Sequence, residues 1–343
     1  MEETLNNLLQ TIKSKANGRV SAFIIGNTSS VMPYDKDFYF TPLEETSELI
    51  YGGVIVKNVE ITASIAELID GQVDYVFVDA EKKIKEIYYG SNDIGNIERI
   101  VREKIFKSKV LTYKGNSLAT EAIDLLLGQL VVDLGNVNVA IIGAGNMGSK
   151  IALTLVERGA KVKLFRRNLS KLKKITDGLN QIKSEHTESS ITMAENIEEA
   201  CRGANVVIAC ADQQSIIKED LKWLSKERSP ILIDVGKKCF DESIINSHEF
   251  VVFSLDTSII QKYVFTAIIK TKLIYGKAIG RKKLQDYGLN LISSGLVGQY
   301  GEFIVDDIDN PKTIIGVADG QGSLLEDTGI FEDKLNILRN LLN

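Results

Sequence analysis

Short apolar runs alternate with helical patterns along the first part of the chain. The pattern predicts strands at Val20–Ile25, Gly53–Ile61, Val73–Val78 and Val110–Tyr113. It predicts helices at Ser64–Ile69 and Ile94–Phe106. Strands that alternate with helices are typical of a mostly parallel, twisted sheet covered by helices on both faces. We therefore predict an α/β domain in residues 1–128 and expect it to bind the substrate.

A second series of the same kind follows a long apolar helix predicted at Ala119–Leu130. Its predicted strands are Val137–Ile142, Lys161–Phe165, Asn205–Cys210, Ile231–Val235 and Val251–Leu255. This series predicts a doubly wound parallel sheet of the Rossmann type in residues 129–260. The predicted fold class is α/β, with two domains around a cleft, the second of them the Rossmann domain.

The last part of the chain fits this alternation least well. Gln261–Tyr275 is rich in Ile, Val and Thr and predicts a helix or a strand equally. Ile314–Gly320 predicts a strand and a turn, and Phe331–Leu342 predicts an amphipathic terminal helix. We expect residues 261–343 to return to the first domain.

Composition narrows the class of protein. The 343 residues include 41 basic and 46 acidic side chains, and the net charge of −5 gives no electrostatic reason to bind nucleic acid. No apolar run approaches the roughly 18 residues that span a bilayer. Three cysteines and two histidines at unhelpful spacings indicate neither a disulfide framework nor a metal site. We expect a cytoplasmic protein with a small-molecule substrate and no membrane partner, and a homodimer is one candidate assembly.

A glycine-rich turn is the strongest functional signal in the sequence. The apolar strand that ends at Ile142 runs into Gly143, Ala144, Gly145, Asn146, Met147 and Gly148, and a helical pattern follows. The first glycine permits the tight turn, the second lets the backbone approach a pyrophosphate, and the third lets the helix pack against the strand. Amides at the helix N-terminus then face the phosphate charge. This context predicts a dinucleotide site, and the alternative is a tight turn without a ligand.

The end of the next predicted strand bears on which dinucleotide is bound. An NAD site usually carries an acidic residue there, which binds the ribose 2′-hydroxyl. Here the strand runs into Arg166 and Arg167, and Lys171 follows. No carboxylate is present to repel a 2′-phosphate, and two guanidinium groups can pair with one. The sequence therefore favours NADP over NAD, although a solvated basic loop would have the same composition.

Two later strand ends are expected to line the same crevice, because ligands sit beyond the carboxyl ends of parallel strands. One is Ala209-Cys210-Ala211-Asp212, where small side chains let a nicotinamide ribose approach the backbone. The other contains Val235 and Gly236. We expect Cys210 to be a small buried residue rather than a nucleophile.

These features resemble a group of known families. Residues 135–240 are similar to the NAD(P) domain of shikimate dehydrogenase, glutamyl-tRNA reductase and methylenetetrahydrofolate dehydrogenase. The similar pieces are the glycine turn, Arg166-Arg167-Asn168 and Ile233-Asp234-Val235-Gly236. The long helix before the Rossmann strand also matches how these families join their two domains. The resemblance implies an NADP-dependent oxidoreductase of the amino-acid-dehydrogenase-like group and leaves a pterin-type substrate open.

Two departures from these families limit the choice of substrate. Glutamyl-tRNA reductase uses a cysteine nucleophile in its N-terminal domain, and no cysteine precedes Cys201 here. Shikimate dehydrogenases carry an Asn-Thr-Asp segment before the cofactor domain, whereas Lys114-Gly115-Asn116-Ser117 lacks the aspartate. The resemblance therefore indicates the cofactor better than it indicates the substrate.

Three polar clusters follow strands of the first domain and supply the candidate catalytic residues: 27–30, 79–83 and 114–117. Their lysines could bind a carboxylate or protonate a developing alkoxide or amine. Reduction of a carbonyl or an imine needs a proton donor beside the hydride, and a lysine can be that donor. Lys82 and Lys114 are the candidate donors, and Asn116 is a candidate for positioning the substrate. Ser29 and Ser30 follow the first strand and could equally cap a helix. A solvated surface charge is the alternative for either lysine.

Two other classes of function remain open at this point. A non-catalytic dinucleotide-binding sensor or scaffold would keep the glycine turn and need no proton donor. An enzyme that uses the cofactor without net redox change would show no net nicotinamide turnover. Cofactor binding combined with a turnover assay separates all three.

Overall fold

The structure is a computed structural model that describes residues 1–28, 37–83, 97–225, 229–236, 238–247, 249–278 and 280–342. The chain divides into two compact units, Met1–Tyr263 and Val264–Asn343. The first unit contains two mostly parallel sheets, and the second contains a smaller mixed sheet.

Five strands form the first sheet: β1 (Val20–Asn27), β2 (Phe38–Glu45), β3 (Leu49–Val56), β4 (Tyr75–Asp79) and β5 (Lys109–Tyr113). Their order is β2-β3-β1-β4-β5, and all neighbours are parallel except the edge strand β2, which pairs antiparallel with β3. Because β3 and β4 lie on opposite sides of β1, the strand order reverses between β1 and β4. Ligands bind beyond the carboxyl ends of strands at such a switch point. The two strands that flank it end at Asn27 and Asp79.

Three helices pack with this sheet: α1 (Glu2–Ala16), α2 (Val59–Ile69) and α3 (Ile97–Lys104). In α1 the side chains of Leu5, Leu9 and Ile12 repeat at helical spacing and are buried in one core with Phe23 of β1. The hydrophobic pattern predicts neither α1 nor β2. In α1 only one stripe is apolar, and β2 is an edge strand with few buried side chains.

The predicted strand at Gly53–Ile61 is wrong beyond Val56. The side-chain oxygen of Asn58 accepts a hydrogen bond from the Ile61 amide at 2.8 Å and caps the N-terminus of α2. An asparagine in this position satisfies one of the amides that have no partner within the helix. The β-branched residues after Asn58 therefore lie in a helix, because the cap overrides their strand propensity.

A long helix, α4 (Gly115–Leu130), connects the two sheets of the first unit. It begins four residues earlier than predicted, so Gly115 and Asn116 lie in its first turn rather than in a loop. Ile123 and Leu127 on this helix are fully buried in the core of the second sheet. The helix thus ties the carboxyl end of β5 to the second sheet.

Six parallel strands form the second sheet: β6 (Asn138–Ile142), β7 (Lys161–Phe165), β8 (Ile191–Ala194), β9 (Val206–Ala209), β10 (Ile231–Asp234) and β11 (Val252–Ser254). Their order is β11-β10-β9-β6-β7-β8, the order of a doubly wound dinucleotide-binding sheet. The switch point lies between β6 and β9. The pattern missed only β8 here, since its four residues follow a polar stretch.

Helices cover both faces of this sheet, which gives it two cores. They are α5 (Asn146–Glu157), α6 (Leu169–Ile182), α7 (Ile197–Cys201) and α8 (Glu242–Asn246). Val139 and Ile141 of β6 are buried in one core, whereas Ala140 and Ile142 are buried in the other. Burial on both faces explains why the run Val139–Ile142 in the central strand β6 is continuously apolar rather than alternating.

The second compact unit has its own sheet and core. A helix, α9 (Ser258–Ala278), leads into β12 (Arg281–Leu284), β13 (Leu289–Ser293), β14 (Phe303–Val305), β15 (Ile314–Val317) and α10 (Glu332–Leu342). The sheet order is β12-β13-β14-β15, with β13 and β14 parallel and the outer pairs antiparallel. Gln261–Tyr275, which predicted a helix or a strand equally, is helical.

The predicted α/β class and the Rossmann sheet in the second half are confirmed. The domain limits 1–128, 129–260 and 261–343 stay predictions, as does the return of the last segment to the first domain. The structure positions two switch points, one for each sheet of the first unit, and both lie beside residues that the sequence singled out.

Candidate functional site

The glycine turn follows β6 at the switch point of the six-stranded sheet. Gly143 has φ of +118°, and a side chain there would place its Cβ 2.7 Å from the Ala211 amide nitrogen. The amides of Gly143 and Ala144 donate to the Phe165 carbonyl at 3.0 and 3.1 Å. The turn is therefore fixed between the ends of β7 and β9, in a conformation that favours glycine.

The other two glycines of the turn have different surroundings. A Cβ at Gly148 would lie 2.1 Å from the Gly143 carbonyl oxygen, so only glycine lets α5 pack this closely on the turn. A Cβ at Gly145 would have no atom within 4 Å. The space beside Gly145 is open to a ligand, and the first-turn amides of α5 border it.

A cavity of about 740 Å³ opens at this turn, a volume typical of small-molecule sites. Its lining combines backbone, small side chains and three basic residues. Of the predicted cofactor residues, it includes Gly143, Ala144, Gly145, Arg166, Arg167, Cys210 and Ala211. Asp212, at the end of the same predicted segment, also lines it, and Gln213, Ser215 and Lys218, which follow it, were not predicted from the sequence. The small residues predicted to line the crevice after β9 were the sequence signal for this segment.

The basic residues after β7 occupy distinct positions. Arg166 donates from Nη1 to the Ala144 carbonyl at 2.6 Å, so its guanidinium group braces the glycine turn from the cavity side. Arg167 is exposed and lines the cavity. Lys171 is exposed on the first turn of α6, where its amide is capped by Asn168 Oδ1 at 2.9 Å, and it is not part of the described lining.

Three more of the predicted cofactor residues, Ala209, Val235 and Gly236, hold together the strand ends beside the cavity. Ala209 is buried within β9, and its carbonyl accepts the amides of Val235 and Gly236 at 2.8 and 3.0 Å. A Cβ at Gly236 would lie 2.0 Å from the Ala211 carbonyl oxygen. These contacts hold the ends of β9 and β10 together, and the described lining does not include Ala209, Val235 or Gly236.

Two cysteines near this edge are held as neutral thiols. Burial, reinforced by neighbouring Cys239 and Asp234, raises the pKa of Cys210 far above its ordinary value. Burial and Asp234 raise the pKa of Cys239 to about 12, and its thiol donates to the Ala211 carbonyl at 3.2 Å. Since the thiolate is the nucleophile, neither cysteine is activated for covalent chemistry.

Asn146 and Met147 turn away from the cavity. Met147 packs against the second-sheet core. The Asn146 side-chain oxygen accepts a hydrogen bond from Asn116 Nδ2 at 3.0 Å. A residue of the glycine motif thus contacts the residue that was predicted to position the substrate, and the contact joins the start of α5 to the start of α4.

A group of charged side chains occupies the switch point of the first sheet. We call Asp79, Glu81, Lys83 and Lys150 the ion cluster. Asp79, at the end of β4, is 2% exposed, and its Oδ2 is 2.6 Å from Lys83 Nζ. Its Oδ1 accepts the amides of Glu81 and Gly115 at 3.0 and 3.2 Å. A Cβ at Gly115 would lie 2.9 Å from Lys83 Nζ, so this glycine leaves room for the ammonium group.

Glu81 connects the ion cluster to the second sheet's first helix. Its Oε1 is 3.2 Å from Lys150 Nζ on α5, and its Oε2 is 3.3 Å from Lys83 Nζ. The Asn116 amide donates to Oε2 at 2.7 Å. Partial burial opposes ionisation of Glu81, but the Asn116 amide and the charges of Lys83 and Lys150 outweigh it and lower the pKa.

Two buried polar residues flank the ion cluster. Asn27, at the end of β1, donates from Nδ2 to the Glu81 carbonyl at 2.8 Å, while its Oδ1 has no hydrogen-bond partner among the described residues. Tyr113 is buried at the end of β5, and burial together with Asp79 raises its pKa well above the ordinary value. Its phenol is therefore neutral. Ser29 and Ser30 lie outside the described residues.

The predicted catalytic residues surround this cluster without forming it. Lys82 is exposed beside Glu81, and Lys114 is exposed at the N-cap of α4. Asn116 contacts the cluster through its backbone amide and α5 through its side chain. The sequence predicted a polar cluster at Asp79–Lys83 but assigned a role only to Lys82 within it, and nothing in the sequence pointed to Lys150. The spacing of Asp79 and Lys83 was visible, but which of two adjacent lysines turns toward the carboxylate depends on the path of the chain after β4.

Comparison with known families identifies the class of the second sheet's domain. Residues 138–249 match the family described as the NAD binding domain of 6-phosphogluconate dehydrogenase. The match begins at β6 and includes the glycine turn and the cavity lining. It supports a nicotinamide dinucleotide as the cofactor and an oxidoreductase of the dehydrogenase type as the class of protein. No curated protein matches the sequence.

Three solved structures have backbones that are similar to part of this chain. Ornithine carbamoyltransferase from Pyrococcus furiosus aligns with a TM-score of 0.44 at 10% identity, over 78% of this chain and 92% of that one. NAD-dependent malic enzyme from Thermotoga maritima aligns at 0.42 and 14% identity, over 79% and 78%. Glutamyl-tRNA reductase from Methanopyrus kandleri aligns at 0.35 and 17% identity, over 45% and 39%. Likenesses this weak carry no argument about function.

Membrane-spanning helices and metal-binding groups are the two other features considered for the described residues. Within the described ranges, no helix is both long and apolar enough to cross a membrane. Among the same residues, no three or more His, Cys, Asp or Glu side chains are grouped so that they could hold a metal ion.

Proposed function

We propose that the protein is an NADP-dependent oxidoreductase that acts on a small polar metabolite. One observation carries the proposal. The cavity at the switch point of the six-stranded sheet is bordered by the glycine turn and by Arg166 and Arg167. A pyrophosphate would sit at the start of α5, where first-turn amides and the helix dipole favour an anion.

The preference for NADP rests on the charges beyond β7. Arg166 and Arg167 line the cavity where a ribose 2′-phosphate is expected, and β7 ends without a carboxylate. Asp212 is the one carboxylate in the described lining, and it follows β9 rather than β7. Guanidinium groups bind phosphate in a bidentate manner, which favours the phosphorylated dinucleotide.

The bound nicotinamide would supply or accept the hydride. The chain's own contribution is then to hold the dinucleotide at the glycine turn and to exchange a proton with the substrate. Lys82 and Lys114 remain candidates for that exchange, and Lys83 is a third. The position of Lys83 supports it, because Asp79 and Glu81 fix its ammonium group at the end of β4.

Calorimetric titration of NADP and NAD tests the cofactor assignment. We expect NADP to bind at least about tenfold more tightly than NAD, a difference of about 1.4 kcal/mol. Arg167→Ala should weaken NADP binding about tenfold and leave NAD binding unchanged, because the lost contact is to the 2′-phosphate. Lys173→Ala is the matched control, since Lys173 is an exposed cation on α6 that pairs with Asp177. Tighter binding of NAD than of NADP, unchanged in Arg166→Ala, would overturn the assignment.

A turnover screen separates the enzyme from a sensor or scaffold. The screen follows nicotinamide absorbance with panels of carbonyl, imine and pterin substrates. An oxidoreductase should turn over at least one class. Among single replacements of Lys82, Lys83 and Lys114 by Met, the folded variant that lowers kcat, rather than only raising KM, while sparing cofactor affinity should identify the proton donor. NADP binding without turnover of any class would favour the non-catalytic alternative.

A further inference from the structure

The hydrogen-bond inventory of the ion cluster indicates what kind of substrate it can receive. Each of its four carboxylate oxygens already accepts at least one donor. Asp79 uses both oxygens for Lys83 and two backbone amides, and Glu81 uses both for Lys150, Lys83 and the Asn116 amide. The carboxylates are thus occupied in holding the protein together.

The two lysines of the cluster have donors to spare. An ammonium group has three N–H donors. Among the described residues, Lys83 contacts two carboxylates, Asp79 and Glu81, and Lys150 contacts only Glu81. Their side chains are 19% and 37% exposed, so both reach solvent. Among the described contacts, the groups of the cluster that remain available are therefore the N–H donors of two positively charged ammonium groups.

The surrounding charge has the same sign. The exposed lysines Lys82 and Lys114 lie at the ends of β4 and β5, beside the cluster. Among the described residues named here, four lysines outnumber two carboxylates, so these side chains carry a net positive charge although the whole chain is acidic. Such a field attracts anions and repels cations.

We propose that the ion cluster binds the carboxylate of a small acidic substrate, with Lys83 and Lys150 as the donors. The proposal rests on the proposed function and narrows its substrate class from small polar metabolites to acids. A cationic amine has no unoccupied carboxylate to bind, and a neutral carbonyl compound uses only part of the donor capacity. Glu81 orients both lysines, since it contacts both ammonium groups at once.

Small dicarboxylates serve as probes for this site, because no substrate is needed to measure their binding. Calorimetry on the full chain, with and without saturating NADP, compares malonate, succinate and glutarate with the diamides and diamines of equal length. We expect at least one dicarboxylate to bind about tenfold more tightly than its diamide, since charge-assisted hydrogen bonds are the stronger ones. The binding should weaken as ionic strength rises.

Lys150→Met is the variant that carries the test, because Lys150 lies partly exposed and its removal leaves no buried carboxylate alone. It should weaken dicarboxylate binding about tenfold and leave diamide binding unchanged. Lys83→Met should do the same, and Lys83→Arg, which keeps the charge, should restore part of the binding if Lys83→Met is poorly folded. Lys173→Met, at an exposed pair on α6, is the control.

Three results would overturn the proposal: no dicarboxylate binds, a diamine or diamide binds as tightly, or Lys150→Met leaves binding unchanged. Each is independent of the cofactor titration. Loss of the proposed function would instead appear as failure to bind NADP, so the two failures are distinguishable.

Discussion

The two switch points of the first unit differ in the kind of atom that builds them. Between β6 and β9, the edge is made of backbone, with Gly143, Gly145 and Gly148 forming a turn beside an open cavity. Between β1 and β4, the edge is made of charged side chains, with Asp79 buried against Lys83. We call the edge between β1 and β4 the first edge and the edge between β6 and β9 the second edge. At the second edge the first turn of α5 borders an open space beside Gly145, whereas the first edge holds its own charges together.

This difference shows how each edge is suited to its ligand. A dinucleotide pyrophosphate is recognised by amides and a helix dipole, which any sequence with the right glycines supplies. A substrate is recognised by particular side chains, which must be held in place by one another. The comparison predicts that substitutions at the two edges act differently on stability, binding and pH dependence.

Breaking the ion pair at the first edge should have the largest effect on stability. Lys83→Met leaves Asp79, which is 2% exposed, without its cation, and removal of one partner from a buried pair costs about 3 kcal/mol or more. Urea unfolding measures the change. The control is Lys173→Met in the exposed Lys173–Asp177 pair of the same spacing, with an expected cost below about 0.5 kcal/mol. Equal costs for the two variants would show that the pair at the first edge is not special.

Adding a side chain within the glycine turn should have the next largest effect on the free energy of unfolding. Gly148→Ala places a Cβ 2.1 Å from the Gly143 carbonyl oxygen, and such overpacking costs about 1–3 kcal/mol. Gly178→Ala is the matched control on α6, where a Cβ meets no atom within 4 Å, and it should stabilise the protein by up to about 1 kcal/mol. The packing account fails if Gly148→Ala unfolds at the urea concentration of the wild type.

Glu81 should make stability depend on pH at the first edge. Its folded-state pKa is lowered, so its ion pairs stabilise the protein above the ordinary glutamate pKa of 4.5. That contribution is lost as the pH falls through the lower, folded-state pKa. The free energy of unfolding of the wild type and of Glu81→Gln can be measured from neutral pH downward. The difference between the two should be constant above about pH 5 and shrink below it. A difference that grows on acidification would contradict this sign.

The smallest change is expected when the cysteines of the second edge are exposed to a thiol reagent. Because burial raises the pKa of Cys210 and Cys239, almost no thiolate exists at pH 8. Iodoacetamide should label neither cysteine in the folded protein, and both should react in urea. Rapid labelling of Cys239 under native conditions would mean that this edge opens or that its thiol is activated.

The same contrast determines what the sequence could predict. Most strands of both sheets contain apolar runs, and the glycine turn has fixed spacing, so these features follow from the local pattern. The edge strand β2, the capped start of α2 and the early start of α4 depend on neighbouring chain or on single caps. The segment 79–83 of the ion cluster follows an apolar strand and was predicted as polar, but Lys150 could not be assigned to it. Glu81 and Lys150 are far apart in sequence and meet only because α5 packs beside the end of β4.

Titration of NADPH with wild type and Gly145→Ala tests the central claim most directly. A Cβ at Gly145 meets no protein atom within 4 Å, so it enters only the space assigned to the dinucleotide. The account predicts that the wild type binds NADPH, and that Gly145→Ala binds it at least about tenfold more weakly while melting within a few degrees of the wild type. Equal affinity in the two proteins, or no binding by the wild type, would contradict the assignment of this edge as the cofactor site.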